Sequence, residues 1–212
     1  MAHPGIKDSY RDKAKQEGFP ARSVYKLKEI QQHYGLIRPG ICVVDLGCHP
    51  GSWLRFCSQI IGPEGRILGI DQKPPTIPLE PPITFLEADV LTLSWEQLPD
   101  WSREADLVLS DLAPHTSGVK WLDHQRSLDL ALRALEISSW ILKPRGGFLV
   151  KLFQGEDSLA FHKKMESFFR KVDIEKPRSS RQESREVYLI GRGFSRQNEY
   201  RTSNIQHPTS NE

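Results

Sequence analysis

Two lysines and two carboxylates stand in local sequences that suggest chemistry. They are Lys26 in ARSVYKLKEI, Asp111 in LVLSDLAPHTSG, Lys151 in GGFLVKLFQGE and Glu186 in SSRQESREVYLIG. Lys151 lies within an apolar run, where burying a charged group is costly unless it has a partner. Burial and a second ammonium group lower the pKa of a lysine, whereas carboxylates oppose that shift and hold the ammonium groups in place. If the fold brings the four side chains together, a lysine among them could accept a proton near neutral pH.

A glycine-bearing turn follows the first apolar run, in VVDLGCHPGSW (residues 43–53). Gly47 and Gly51 let the backbone turn sharply and approach a ligand closely. Asp71 lies twenty residues beyond Gly51, where a nucleoside-binding α/β fold places a carboxylate for ribose hydroxyls. The G-x-x-x-G spacing is not the G-x-G-x-x-G pattern that cradles a pyrophosphate. A nucleoside cofactor without a diphosphate therefore fits better, and S-adenosylmethionine is one.

Alternating strands and helices would bring these residues to one rim of a sheet. Short apolar or β-branched runs predict strands at 41–46, 66–70, 83–87, 105–110, 147–153, 172–175 and 186–191. Apolar periodicity predicts helices at 22–34, 52–61, 123–143 and 157–171. Continuous apolar strands covered by helices favour a parallel sheet that is buried on both faces. Asp71, Asp89 and Asp111 each follow a strand, and Glu186 joins their rim if the last strand runs antiparallel.

The four ionisable residues and the glycine turn, in this order, resemble the FtsJ-type RNA ribose 2′-O-methyltransferases over residues 8–194. The resemblance implies a Rossmann-like, S-adenosylmethionine-dependent fold with a mostly parallel seven-stranded sheet, an antiparallel last strand and helices on both faces. It implies that the family's Lys-Asp-Lys-Glu tetrad is Lys26, Asp111, Lys151 and Glu186. It also implies cofactor contacts from Gly47, Gly51, Trp53, Asp71, Asp89 and Asp111. Cys48 and His49 depart from the small residues that the family usually has inside the turn.

Methyl transfer to a ribose 2′-hydroxyl would give the tetrad its task. The hydroxyl is a poor nucleophile until its proton is removed, so catalysis needs alignment and a proton acceptor. On this interpretation Lys151 is the base and Lys26 is the neighbouring cation, while Asp111 and Glu186 fix the geometry. The alternative is that Lys151 extends from the sheet end towards water and that Glu186 pairs with Arg185.

Basic side chains flank the expected rim and predict phosphate contacts with RNA; they are Arg22, Lys28, Arg178 and Arg181. The resemblance implies a uridine in the A-loop of large-subunit rRNA, within a ribosomal particle. Related enzymes act on tRNA anticodon loops or mRNA caps, so these RNAs are the alternative substrates. A non-catalytic RNA-binding or ribosome-assembly factor would keep the basic surfaces without needing the tetrad. A nicotinamide-dependent oxidoreductase would share the sheet and Asp71 but should have the pyrophosphate glycine pattern.

Length and composition favour one domain in a chain of 212 residues with a net charge of +2. No apolar run is long enough to cross a membrane, and the start lacks the apolar centre of a signal peptide. We expect a basic N-terminal segment at 1–21, a methyltransferase domain at 22–194 and a disordered polar tail at 195–212. Three cysteines without C-x-x-C spacing and seven histidines without ligand spacing predict neither disulfides nor a metal site. A cytoplasmic monomer is expected.

Overall fold

Seven strands form one mixed sheet in the computed structural model, which describes residues 9–181 and 183–195. The strands are β1 Cys42–Leu46, β2 Arg66–Asp71, β3 Ile83–Glu87, β4 Ala105–Ser110, β5 Leu142–Phe153, β6 Phe169–Glu175 and β7 Glu186–Phe194. Their order across the sheet is β3-β2-β1-β4-β5-β7-β6. The first five run parallel to one another, and β7 runs antiparallel to both β5 and β6. The predicted fold class is confirmed.

Helices cover both faces of the sheet, and two short 3₁₀ helices, Trp95–Gln97 and Asp100–Glu104, precede β4. The α-helices are α1 Ser9–Gln16, α2 Val24–Tyr34, α3 Ser52–Ile61, α4 Lys120–Ile141 and α5 Ser158–Glu166. Helices α2 and α3 pack against the face that carries Val43 and Leu149. Helices α4 and α5 pack against the opposite face, which carries Val44 and Phe148. Adjacent strand residues point to opposite faces, so each apolar strand supplies both layers of the core.

The bounds of some elements differ from the predicted ones. Helix α5 ends before the predicted residue 171, because Phe169 opens β6 and its ring packs against Phe148 and Phe194. The chain also forms α1 inside the segment predicted as a basic N-terminal extension. Ala14 and the following Phe19 pack there against the start of α2. Most of the predicted tail, residues 196–212, lies outside the described residues.

Candidate active site

Two lysine–carboxylate pairs meet at the rim where β4 and β5 end and β7 begins. Lys151 Nζ lies 2.9 Å from Asp111 Oδ1 and donates to the Asp111 carbonyl oxygen at 2.5 Å. Lys26 Nζ lies 2.7 Å from Glu186 Oε1. The side chains of Lys26 and Glu186 are only 12% and 10% exposed. All four predicted tetrad residues are therefore brought together as two largely buried pairs.

The position of Glu186 follows from the antiparallel register of β7. Phe153, the last residue of β5, stands opposite Glu186, the first residue of β7. The carboxylate thus starts its strand on the rim where the parallel strands end, as predicted. The alternative pairing of Glu186 with Arg185 is not found, since the Arg185 guanidinium donates to the carbonyl oxygens of Lys120 and Gln154, at 3.0 and 3.4 Å. Neighbouring residues of an extended chain point in opposite directions, which turns Arg185 away from Glu186.

Tyr188 connects the two pairs, and sequence reasoning had not assigned it a role. It stands opposite Lys151 in the ladder and donates its hydroxyl to Asp111 Oδ1 at 2.7 Å. Lys26 Nζ lies 5.9 Å from the centre of the Tyr188 ring, within cation–π range. Burial, together with the negative charges of Asp111 and Glu186, raises the pKa of Tyr188 well above its ordinary value. The phenol is thus held protonated as a donor to Asp111.

Asp111 is held as a carboxylate by its surroundings. Burial alone raises the pKa of this carboxyl, but the ammonium groups of Lys151 and Lys26 and hydrogen bonds from Lys151 and Tyr188 outweigh it. The net result is a pKa below the ordinary value of an aspartate. Asp111 therefore serves as a fixed negative charge between two cations, while proton exchange is left to other groups.

Helix α2 reaches the rim because two residues directly after the glycine turn hold its N-terminal end. Ser52 exchanges two hydrogen bonds with the Ala21 backbone, at 2.7 Å from the amide and 3.1 Å to the carbonyl oxygen. Trp53 donates its indole N–H to the Ser23 carbonyl oxygen at 3.0 Å. Trp53 is buried, with its ring centre 6.0 Å from that of Tyr188. The turn that was predicted to bind a cofactor thus also positions the helix that carries Lys26.

The loop at 177–185, which leads into Glu186, is attached to α2 at Glu29 and to the segment directly before α2 at Arg22. Glu29 accepts hydrogen bonds from the backbone amides of Arg178 at 2.6 Å and Ser179 at 3.0 Å. Arg22 donates its guanidinium to the Ser179 carbonyl oxygen at 2.5 Å. The peptide groups around Ser179 are therefore held from both directions by residues one turn before and one turn after Lys26. The spacing of Arg22 and Glu29 about Lys26 was the available signal for this attachment.

The four predicted RNA contacts occupy different environments. Arg22 and Arg181 line a pocket of about 270 Å³ beside Lys26 and Glu186. Arg178 is exposed on the loop at 177–185. Lys28, two residues after Lys26, is directed to another side of α2. Its ammonium pairs with Glu17 at 2.6 Å and lies over three aromatic rings, those of Phe19, Tyr25 and Phe56.

The glycine turn is tightly enclosed. Gly47 and Gly51 have φ angles of 79° and 105°, in the region that favours glycine. A Cβ atom on Gly47 would lie 2.6 Å from the Leu112 side chain, and one on Gly51 would lie 2.8 Å from Ile77. His49 contacts the Pro74 carbonyl oxygen through Nδ1 at 3.0 Å, so it attaches the turn to the proline-rich loop at 72–82.

Burial makes the thiols of the turn and of the following helix unreactive. Cys48 and Cys57 are buried, and burial raises the pKa of each thiol far above its ordinary value. Such thiols are poor nucleophiles, since the thiolate is the reactive form.

Three carboxylates line the rim beside the turn. Asp71 accepts the His49 amide at 2.9 Å, and Asp89 accepts the Leu91 amide at 2.9 Å. Asp45, in the strand that leads into the turn, is 1% exposed, and neither of its oxygens has a hydrogen-bond partner among the described residues. Burial, and then the charges of Asp111 and Asp71, raise the pKa of Asp45 well above its ordinary value. Sequence reasoning missed Asp45, although an acid directly before the glycine turn was a visible signal.

Within the described residues, no cluster of three His, Cys, Asp or Glu side chains could hold a metal ion. No helix in the same part of the chain is both long and apolar enough to cross a bilayer.

Comparison with known families settles the relationship of this chain. The profile of a family described as FtsJ-like methyltransferase matches residues 19–194. The chain belongs to this family. The resemblance expected from the sequence is confirmed.

Similar proteins include two bacterial relatives and one solved structure. A protein from Desulfatibacillum aliphaticivorans named ribosomal RNA large subunit methyltransferase E is 47% identical, with 87% of this chain and 89% of the relative covered. A protein of the same name from Oleidesulfovibrio alaskensis is 44% identical, with 89% of this chain and 92% of the relative covered. A structure named as a ribosomal RNA methyltransferase of Plasmodium falciparum has a TM-score of 0.72 and 25% identity, covering 83% of this FtsJ-like methyltransferase and 98% of that chain.

Proposed function

We propose that this methyltransferase transfers a methyl group from S-adenosylmethionine to a ribose 2′-hydroxyl of large-subunit rRNA, at a uridine of the A-loop. The observation that carries the proposal is the pair of buried ion pairs, Lys151–Asp111 and Lys26–Glu186, at one rim of the sheet. An RNA-binding protein without catalytic function has no need to bury two lysines and two carboxylates beside a pocket. Such burial is costly unless each charge is partnered, and it is typical of catalytic sites.

Lys151 is the proton acceptor in this proposal. A neutral lysine amine keeps two N–H donors and gains a lone pair. It can therefore retain both contacts to Asp111 while the lone pair faces the acceptor hydroxyl. Lys26 supplies positive charge near the developing alkoxide, and Glu186 keeps that ammonium in place at 2.7 Å. Tyr188 and Asp111 restrict the position of Lys151, so the hydroxyl meets a preorganised base.

The acidic side of the rim fits the proposed cofactor. When bound, S-adenosylmethionine supplies a methyl group on a positively charged sulfur. Its amino-acid part also carries an ammonium group. Asp45 offers a buried carboxyl without a partner among the described residues, which a cationic ligand would satisfy. Asp71 would accept from the ribose hydroxyls and Asp89 from the adenine amino group, while Gly47 and Gly51 allow close approach of the backbone.

The basic side of the rim fits RNA. Arg22 and Arg181 line the pocket that contains Lys26 and Glu186, so a phosphate next to the acceptor ribose would meet them. Arg178 adds an exposed positive charge on the same loop. Lys28 contributes through the general field of the surface, since its ammonium already contacts Glu17.

The proposed substrate follows the names of the relatives, which are ribosomal RNA large subunit methyltransferases. We place the reaction in the cytoplasm, on a ribosomal particle, with the protein acting as a monomer.

Methyl transfer from radiolabelled S-adenosylmethionine tests the proposal. Substrates are large ribosomal particles, naked rRNA, tRNA and capped mRNA from a strain that lacks the gene, followed by mapping of the labelled nucleotide. Label at the ribose of an A-loop uridine is the expected result. Label in tRNA or in a cap would overturn the substrate, and absence of label in every RNA would favour the non-catalytic assembly factor.

A further inference from the structure

Trp121, in the first turn of α4, has an unusual surface position. Its exposure of 68% is the highest of any large apolar side chain in the described part of the chain. Val119, two residues before it in the chain, is also exposed, at 46%. Burying the indole would remove a large apolar area from water, so leaving it exposed beside a binding site indicates a ligand surface.

Trp121 is fixed close to the tetrad. The Arg185 guanidinium donates to the Lys120 carbonyl oxygen at 3.0 Å, which attaches the first turn of α4 to the residue before Glu186. The loop before α4 is ordered by Asp123, whose carboxylate accepts from the Ser117 amide at 2.6 Å and the Gly118 amide at 3.2 Å. The indole is therefore presented by a preorganised backbone, which lowers the cost of binding.

Trp121 and the arginine pocket belong to helices that pack on opposite faces of the sheet. The pocket is formed with α2, which packs on the same face of the sheet as α3. Trp121 belongs to α4, which packs on the other face. A strand of RNA that crosses the rim from one face to the other would pass the pocket, then the tetrad and then the indole.

Charge around the indole selects the class of ligand. Lys120 and Arg126 are exposed cations of the first two turns of α4, and the partly exposed Arg185 contacts the Lys120 carbonyl oxygen. Asp123, the acid nearest in sequence, is buried and directed into the loop. An exposed aromatic ring on a segment that carries cations suits a stacked base with its phosphates, as in proteins that bind single-stranded nucleic acid.

We propose that Trp121 is a stacking platform for the base of an RNA nucleotide that neighbours the methylated one. The proposal rests on the proposed RNA methyl transfer and deepens it, because it assigns part of the substrate strand to a surface outside the tetrad. It requires the acceptor region to be single-stranded or opened, since a base within a duplex cannot stack on a side chain.

The test combines variants of the protein with variants of the RNA. Trp121→Ala should raise the dissociation constant and the KM for RNA roughly ten-fold, as expected for loss of one base–aromatic stack. Trp121→Phe should restore most of the affinity, and S-adenosylmethionine binding should be unchanged in both variants. Trp95→Ala removes another partly exposed indole and serves as the matched control, with no effect on RNA binding.

RNA oligonucleotides with an abasic residue on either side of the acceptor identify the stacked base. At one of the two positions, the abasic RNA should bind wild-type protein about as weakly as intact RNA binds Trp121→Ala. The two changes should not add, because each removes the same contact.

Three results would overturn the stacking proposal. The first is a Trp121→Ala protein that binds RNA as tightly as the wild type. The second is a loss of affinity from Trp121→Ala that adds in full to the loss from the abasic residue, at both RNA positions. The third is an effect of Trp121→Ala on intact ribosomal particles but not on naked RNA, which would assign the indole to a ribosomal protein. Failure of the proposed function is seen separately, as wild-type protein that methylates no RNA.

Discussion

Glu29 and Ser179 lie 150 positions apart in the chain, yet the Glu29 carboxylate accepts the Ser179 amide at 3.0 Å. The same carboxylate accepts the Arg178 amide, so two adjacent peptide groups converge on one side chain. Since Lys26 lies on the same helix and Glu186 ends the same loop, this contact helps to set the distance between the two members of an ion pair. Glu29 is therefore a positioning residue in our interpretation.

Replacement of Glu29 by Gln should loosen the loop at 177–185. The Gln side chain keeps one oxygen that can accept from one of the two backbone amides. Its NH2 group faces the other amide, so two donors meet without an acceptor, which costs about 1–2 kcal/mol of stability. We expect faster amide hydrogen exchange in that loop, a higher KM for RNA and unchanged cofactor affinity. The control is Glu17→Gln, which breaks the Lys28 pair on another side of α2 and leaves the loop intact. Unchanged exchange of the loop amides would disprove the positioning role.

Lys151→Arg should abolish methyl transfer while the fold and cofactor affinity are retained. The guanidinium can replace the contact to Asp111 but cannot lose a proton, so it cannot act as a base. Lys143→Arg is the matched control, because Lys143 pairs with Asp106 at 2.6 Å at the other end of the same strand. A Lys151→Arg protein that keeps more than about a tenth of the wild-type rate, a loss of less than ~1.4 kcal/mol, would remove Lys151 from the role of base.

Asp45→Asn should change stability and cofactor binding in opposite directions. The folded-state pKa of Asp45 is raised, so the stability of the cofactor-free protein falls as pH rises from the ordinary aspartate value towards the folded one. Asn does not ionise, and the melting temperature of the variant should exceed that of wild type by a margin that grows with pH. Cofactor affinity should fall by roughly 1–3 kcal/mol, because a buried ligand cation loses its partner.

Melting curves between acidic and slightly basic pH, with and without S-adenosylmethionine, and calorimetric titration measure both effects. Asp106→Asn is the contrasting variant, since the Asp106 carboxylate already binds Lys143 and the Cys42 amide and its loss should lower the melting temperature. If Asp45→Asn also lowers the melting temperature and binds the cofactor normally, the role assigned to Asp45 is wrong.

Substitution of both Arg178 and Arg181 by Ala should weaken RNA binding. It should also reduce the slope of log RNA affinity against log salt concentration by up to about two. The measurement is RNA affinity across a salt series, with cofactor affinity expected to stay constant. Substitution of Lys163 and Lys164 by Ala changes net charge equally, on the exposed surface of α5, and should leave the slope nearly unchanged. Identical slopes for the two double variants would show that only net charge matters.

The sheet was predictable because its strands are short apolar runs between turn residues, and the chirality and connection rules of α/β folds then gave the rim. Asp111 and Lys151 follow from that rim, and Glu186 follows once the last strand is taken to run antiparallel. Lys26 does not, because its helix is held by Trp53 and Ser52 through hydrogen bonds that join residues about 30 positions apart. No local pattern records such contacts.

Side-chain direction within single elements was also available from the sequence. The alternative in which Arg185 pairs with Glu186 is disfavoured because adjacent residues of an extended chain point in opposite directions. Lys28 was predicted to contact RNA, but positions two apart on a helix lie on nearly opposite sides, so Lys28 does not share the direction of Lys26. The boundary between α5 and β6 is different, because there the packing of Phe169 between two other rings decides the outcome.

The insertion of β7 between β5 and β6 has a consequence for synthesis of the protein. Among the described residues, strand β6 is hydrogen-bonded to the sheet only through β7, although it precedes β7 in the chain. During translation the five parallel strands can associate first, while β6 must wait for a strand that has not yet been made. Because Glu186 is the first residue of that strand, the tetrad forms in the same step that completes the sheet. In a nascent chain the four tetrad side chains therefore come together only in the last step of folding.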